Sequence, residues 1–244
     1  MKKLLIGLLV MVMGGVSYGV MAVDNFDSYT PGDINGQGGT DGDWAGPYAA
    51  TISTSDPTFT WDVEGTGDQY LAAVGSISSG HKLDRAMDAW SGDFVLQLDA
   101  NISAASTATH QLQFLNASGK RPLNIKWDGG GAFRVNDLTL TNYLAPGGDF
   151  VAMNGSEWVT IKVVCDWDTS TFDLYWEKTD GSLGLVGQKV GWKDGSFSGD
   201  VVKMQLGGIK AADFYMDNLS ITVPEPMTLT LLGLGGVALI RRKR

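Results

Sequence analysis

The stretch Trp158-Val-Thr-Ile-Lys-Val-Val-Cys-Asp-Trp-Asp-Thr-Ser-Thr-Phe-Asp-Leu-Tyr-Trp176 decides the fold. Val159, Ile161, Val163, Cys165 and Trp167 fall on one face, and Thr160, Lys162 and Asp166 on the other. Successive side chains of a strand point to opposite sides, so this period of two predicts a half-buried strand. Asp168-Thr169-Ser170 is turn chemistry. Phe172, Leu174 and Trp176 then alternate with Asp173 and Tyr175, which predicts the return arm of a hairpin. Trp158, Trp167 and Trp176 lie on these arms and are expected in the core.

The same reading extends outward from the hairpin. Phe59 to Val63, Tyr70 to Val74, Leu83 to Met87, Phe94 to Ile102 and His110 to Leu115 are predicted strands. So are Leu123 to Trp127, Ala132 to Val135, Leu138 to Tyr143, Leu183 to Val190, Val201 to Leu206 and Phe214 to Val223. No stretch between the two terminal segments has helical periodicity. Composition agrees: of 27 acidic residues only Glu64, Glu157, Glu177 and Glu225 are Glu, and Gly numbers 33. Asp and Gly favour turns, whereas Glu favours helices. A dozen short strands without helices between them bury their apolar faces as two packed antiparallel sheets. The expected fold class is therefore an all-β, two-sheet antiparallel sandwich.

Both ends carry signals of another kind. Met1-Lys2-Lys3 is a basic start, Leu4 to Val16 an apolar run, and Val20-Met21-Ala22 a segment a signal peptidase reads. Residues 1–22 are thus expected to be a removable signal peptide, with a signal helix, and Val23 the first mature residue. Gly15-Val16-Ser17-Tyr18-Gly19 spells G-x-S-x-G, but a nucleophile elbow needs a strand-turn-helix context that a leader lacks. At the other end Pro224-Glu225-Pro226 is stiff and extended, because Pro fixes φ and turns its predecessor away from helix. A 14-residue apolar run, Met227 to Ile240, follows. A span takes about 20 apolar residues, so this is a short transmembrane helix. Arg241, Arg242, Lys243 and Arg244 form a basic stop on the cytoplasmic side.

This order of rigid motif, short apolar helix and basic end resembles the PEP-CTERM sorting signal of bacterial exported proteins. The resemblance covers residues 223–244. It implies an exosortase as partner, transient anchoring through the C-terminal helix, and delivery to the envelope, outer surface or extracellular matrix. Residues 23–222 remain as the sandwich domain.

Charge narrows the partners. Six of the 18 basic residues lie in the terminal segments and all 27 acidic ones lie between Asp24 and Glu225, so the part from Val23 to Pro226 carries about −15. Such a surface repels phosphate backbones, which excludes nucleic acid as a partner. A neutral or cation-bridged polysaccharide is compatible with it. Cys165 is the only cysteine, which rules out an internal disulfide. On an apolar strand it reads as a small hydrophobe. His81 and His110 stand in no catalytic motif.

The Trp158–Trp176 hairpin, the closing segment Phe214-Tyr215-Met216-Asp217-Asn218-Leu219-Ser220-Ile221 and the opening Phe26-Asp27-Ser28-Tyr29 resemble laminin-G-like, concanavalin A-like jelly rolls. Some members of that group bind glycans and some hydrolyse them. The laminarinase-like hydrolases carry E-x-D-x-x-E on one strand, which places two carboxylates on one face. This chain lacks the motif. Asp166 and Asp168 share a face by period two, but Asp168 opens a turn and reads as a cap. No catalytic residue is assigned, and the chain is expected not to be an enzyme. Trp44, Trp90 and Trp192, flanked by Gly, Asp or Ser, are the candidate sugar-stacking platforms. Asp24 and Asp217, on first and last strands, are candidate ligands for a structural calcium. No other cofactor is expected. The functional expectation is an exported protein that associates with extracellular polysaccharide. The alternatives are a glycan-active hydrolase or lyase of the same fold, and a structural surface or adhesion protein without a defined ligand.

Replacing Pro224, Glu225 and Pro226 together by Ala is expected to leave the protein uncut in the membrane. Intact-mass analysis of the envelope fraction checks this. Removal of the tail at the wild-type rate would contradict the sorting role of the motif.

Overall fold

The computed structural model describes residues 18–24, 26, 29, 31–33, 38–39, 42–45, 60–64, 69–74, 81–102, 109–128, 132–135, 149–151, 157–208 and 214–224. Among these, every regular element is a strand. In chain order they are β1 (Tyr18–Asp24), β2 (Gly32–Asp33), β3 (Gly38–Gly39), β4 (Gly42–Ala45), β5 (Thr60–Glu64), β6 (Tyr70–Val74), β7 (His81–Trp90) and β8 (Phe94–Ile102). There follow β9 (Thr109–Asn116), β10 (Asn124–Asp128), β11 (Ala132–Val135), β12 (Val159–Asp166), β13 (Thr171–Glu177), β14 (Leu183–Gly191), β15 (Val201–Gly208) and β16 (Phe214–Pro224).

They form two antiparallel sheets. The larger runs β14-β13-β12-β8-β16-β6-β5-β2, with β1 also paired to β16, and the smaller runs β11-β10-β9-β15-β7-β4-β3. The hairpin forms as expected: β12 exposes and buries alternate residues, and Val163 lies between Leu96 of β8 and Leu174 of β13. Leu96, Leu98, Ile161, Val163, Leu174 and Ile221 of the large sheet are fully buried, as are Leu112, Phe114, Met204 and Leu206 of the small one. The core is the layer between them.

One end of this layer is aromatic. β7 belongs to the small sheet and β8 to the large one, and Ser91-Gly92-Asp93 carries the chain across. Gly92 takes φ 124°, a conformation that only glycine adopts without strain. The crossing drops Trp90 between the sheets, 4.8 Å from Phe94 and 5.8 Å from both Phe114 and Trp167. Trp167 continues the chain of rings to Trp192 at 4.9 Å and Phe197 at 5.6 Å, mostly edge to face. Such pairs add to the area they bury.

Two expectations change. Trp158 is not core: it is 39% exposed. Trp90 and Trp192 are not loop residues open to solvent, for each is only 7% exposed. β1 includes Tyr18 to Ala22 and β16 ends on Pro224, with Tyr18 opposite Pro224. The predicted strand Leu138 to Tyr143, residues 1–17 and residues 225–244, with both terminal helices, lie outside the described residues. Among the described residues no helix is long and apolar enough to cross a membrane.

Val163→Asp places a charge with no partner in this core and is expected to cost several kcal/mol of a stability that is typically ~5–15 kcal/mol. Lys162→Asp, one residue away and facing outward over Tyr175, is expected to be mild. Thermal melts of the two variants check the register, and equal melting temperatures would contradict it.

Candidate functional site

Among the described residues, the outward face of the large sheet carries exposed Trp158 together with half-buried Tyr70 and Tyr215. In β8 the residues alternate, with Leu96, Leu98 and Ala100 inward and Gln97, Asp99 and Asn101 outward. β16 sets Tyr215 opposite Asn101 and Asp217 opposite Asp99. On the other flank β12 sets Thr160 opposite Asp99. Trp158, two residues earlier, keeps the outward phase and lies beside Asn101. β6 pairs Leu71 with Met216, which brings Tyr70 alongside Asp217. The result is a triangle of rings: Tyr70–Tyr215 at 5.5 Å, Tyr70–Trp158 at 5.6 Å and Trp158–Tyr215 at 6.5 Å.

Polar groups surround this platform in register. A bulge in β16 between Asp217 and Ser220 leaves Asn218 as an extra residue with φ 49°, a left-handed conformation that Asn tolerates better than most residues. The bulge aims the Asn218 side chain back across the sheet, where its Nδ2 donates to Asp99 Oδ2 at 2.8 Å. Thr160 Oγ1 donates to the other Asp99 oxygen at 2.6 Å. The Asn218 backbone N–H donates to Asp217 Oδ1 at 2.7 Å. At one rim the Tyr70 hydroxyl hydrogen-bonds the Glu64 carboxylate, and burial followed by that carboxylate's charge raises the phenol above its ordinary value. At the other, Glu177 Oε2 accepts from the Thr160 N–H at 2.8 Å. Asn101, opposite Tyr215 and only 7% exposed, has a side-chain oxygen with no hydrogen-bond partner.

The residues expected to bind ligand are distributed differently. Trp90 and Trp192 belong to the interior ring cluster and are removed from the platform. Trp44 sits on β4 opposite Arg85. Asp24 is opposite Leu219 on one flank of β16, and Asp217 is opposite Asp99 on the other. Among the described residues no group of three or more His, Cys, Asp or Glu is placed to hold a metal ion. The cap at the hairpin turn is Asp166, whose Oδ1 accepts from Thr169 N–H at 3.0 Å and whose carboxyl is lowered chiefly by that bond. His81 and His110 lie opposite Gly208 from either side, in the sheet that does not contain Cys165. Sequence reading missed Tyr70, Tyr215, Asp99 and Asn101, and placed Trp158 in the core. The alternation phase of β8, β12 and β16 was the available signal for four of these five, since Trp158 shares its phase with Thr160 and Tyr215 is flanked by inward Phe214 and Met216.

Comparison with known proteins bears on both ends of the argument. A family model described as the PEP-CTERM protein-sorting motif matches residues 222–244. The chain therefore carries a PEP-CTERM sorting motif and is an exported protein directed to the cell envelope. No curated protein matches the chain. Among solved structures, a sialidase superposes with TM-score 0.56 at 11% identity over 84% of this chain, which spans only 19% of the sialidase chain. A carbohydrate esterase from Shiga toxin-encoding bacteriophage phi24B superposes with TM-score 0.52 at 13% identity, covering 86% of this chain and 100% of that one. A seed lectin from Lotus tetragonolobus gives TM-score 0.48 at 9% identity over 72% of this chain and 96% of the lectin. Likeness at these identities shows the fold alone, a jelly-roll sandwich.

Cys165 is buried and free, and burial pushes its thiol up to about 12 from 9.0. The folded chain thus holds the thiol proton to higher pH than the unfolded chain. Its contribution to stability is complete below pH 9 and is lost as pH rises toward 12. Iodoacetamide at pH 9 is expected to leave the folded protein unmodified and to alkylate the denatured chain, as read by intact mass. Rapid modification of the folded protein would contradict the burial.

Proposed function

We propose that this is a non-catalytic, exported polysaccharide-binding protein. The outward face of its large sheet holds the glycan, and its PEP-CTERM tail delivers it to the outer surface or extracellular matrix. One observation supports the reading most: three aromatic rings converge on an outward sheet face that also carries hydrogen-bonding Asp, Asn and Thr side chains. Sugars present apolar C–H faces and hydroxyl edges together, and a rigid aromatic surface with oriented acceptors matches both. The sorting motif accounts for how such a domain reaches extracellular polysaccharide, with an exosortase acting on the tail and the C-terminal helix anchoring the chain until then.

A glycan-cleaving reading has one observation in its favour. Asp99 and Asp217 are direct cross-strand neighbours beside the platform, and glycoside hydrolysis uses paired carboxylates. Against it, both Asp99 oxygens are already engaged by Thr160 and Asn218, as suits a fixed acceptor. Reducing-sugar release from the polysaccharides that bind, abolished in Asp99→Asn and Asp217→Asn, would establish cleavage.

Affinity electrophoresis of the full chain in mild detergent, through gels containing soluble polysaccharides, tests binding. Trp158→Ala is expected to weaken it by about 1–2 kcal/mol, the scale of a contact residue, with an unchanged melting temperature. Trp90→Ala is expected to do the reverse, losing roughly 3–5 kcal/mol of stability as buried aromatic truncations do. If Trp158→Ala and Tyr215→Ala both bind as the wild type does, the platform is not the site.

A further inference from the structure

Sorting and fold lay claim to the same residues. The PEP-CTERM match begins at Thr222, whereas β16 continues through Pro224, the first residue of the motif. On one edge β16 pairs with β8, in a register that runs from Phe214 to Thr222. On the other edge β6 takes Phe214 to Met216 and β1 takes Leu219 to Pro224. Among the described residues, Val223 and Pro224 are therefore paired with β1 alone, through Gly19 and Tyr18. Val223 also packs against the core, so β1 closes beside a segment that is already seated. β1 makes six pairs with β16, and the expected leader cut divides them unevenly. Tyr18, Gly19, Val20 and Ala22, the partners of Pro224, Val223, Thr222 and Ile221, lie before the cut. Only Val23 and Asp24, the partners of Ser220 and Leu219, lie after it.

A processing enzyme grips its substrate as an extended chain whose backbone N–H and C=O groups are free to bond with it. A segment that is already a strand of a folded sheet offers those groups only when it opens, and cleavage then follows the open population. We infer that the leader masks the sorting motif, so that its removal is the step that makes the tail a substrate. The inference rests on the sorting motif and on the expected signal peptide, and it sets the order of the two cuts. The first cut is a hydrolysis: water adds across the Ala22–Val23 peptide bond, leaving a carboxylate on Ala22 and an ammonium on Val23. Once separated from the chain, a strand held by four pairs is not stable. Its departure removes the strand beside Val223 and Pro224. The second cut breaks a peptide bond of the motif, whose acyl carbon passes to water or to an amine while the tail leaves as an amine. β16 is the last of the described strands. The full β1–β16 pair thus forms only in a chain that keeps its leader until the rest has been exported. Position agrees with this coupling. Because Tyr18 and Pro224 are partners, the apolar runs Leu4 to Val16 and Met227 to Ile240 are tethered to one end of the sandwich. Each run has a basic outer end, as two segments entering one membrane from the same side require.

The test uses the full chain in a bacterial host that carries an exosortase. Intact mass of the envelope and medium fractions reports on each end separately. The wild type is expected to lose both segments. Ala22→Tyr puts a bulky side chain where a signal peptidase needs a small one, and tyrosine suits a strand. This variant is expected to keep its leader and to lose its tail at least about tenfold more slowly. Two further changes to that uncut chain are each expected to bring tail removal back to within about twofold of the wild-type rate. One is Gly19→Pro with Val20→Pro, because proline has no N–H to give to the ladder. The other inserts about six Gly and Ser residues between Val223 and Pro224, which moves the motif clear of β1 and leaves β1 itself unchanged. Protection of Cys165 from iodoacetamide shows which chains are folded. Tail removal from Ala22→Tyr at the wild-type rate overturns the inference. So does a folded chain of either second kind that keeps its tail, because the leader then acts by anchoring the protein and not by pairing. Loss of the leader from Ala22→Tyr overturns the cut site on which the inference is built. A wild type that keeps its tail after losing its leader overturns the inference and the sorting reading together.

Discussion

The register of β16 against β8 is the constraint on which both the core and the candidate site depend. Strand side chains alternate with a period of two, so a slip of one residue exchanges the two faces. β16 meets this constraint with a defect. Phe214 and Met216 point inward, and Leu219 and Ile221 also point inward, although an odd number of steps separates Met216 from Leu219. The extra residue Asn218, in its left-handed conformation, absorbs the phase change. Without it, either the first half or the second half of the strand would bury its polar side.

The same bulge builds the outward face. It sets Asp217 opposite Asp99 and sends the Asn218 amide to the Asp99 carboxylate. Thr160 closes on the remaining Asp99 oxygen. The residues that carry the rings, Tyr215 and Trp158, keep their outward phase because β8 is held between β16 and β12 by a fully buried inner row. Core and site are two faces of one register, which explains how outward aromatic rings are compatible with a sheet whose inner side is fully buried.

Much of this was legible in the sequence. Tyr70–Val74, Phe94–Ile102 and Ala132–Val135 coincide with predicted strands, and the hairpin was evident because its apolar phase is unbroken from Val159 to Cys165. The aromatic assignments were less legible. Trp90 is followed by Ser91-Gly92-Asp93 and Trp192 stands between Gly191 and Lys193-Asp194, and such neighbours suggest a loop. Their burial comes from partners distant in sequence, Phe114 for Trp90 and Trp167 for Trp192, which local composition cannot reveal. Trp158 is the opposite case: its large apolar ring suggested the core, while its phase with Thr160 and Lys162 already pointed outward. The bulge was visible only as the interruption in Phe-Tyr-Met-Asp-Asn-Leu-Ser-Ile, where the alternation resumes one residue late.

The central claim is that an exported sandwich presents one sheet face to polysaccharide. Hydroxyl-radical footprinting of the full chain in mild detergent, with and without a polysaccharide that binds, addresses it residue by residue. The account predicts that Tyr70, Trp158 and Tyr215 lose reactivity on binding while Met87, at the opposite end of the buried layer, and Trp192, within it, do not change. Unchanged reactivity at Trp158 and Tyr215 under saturating polysaccharide, with protection elsewhere, would contradict it.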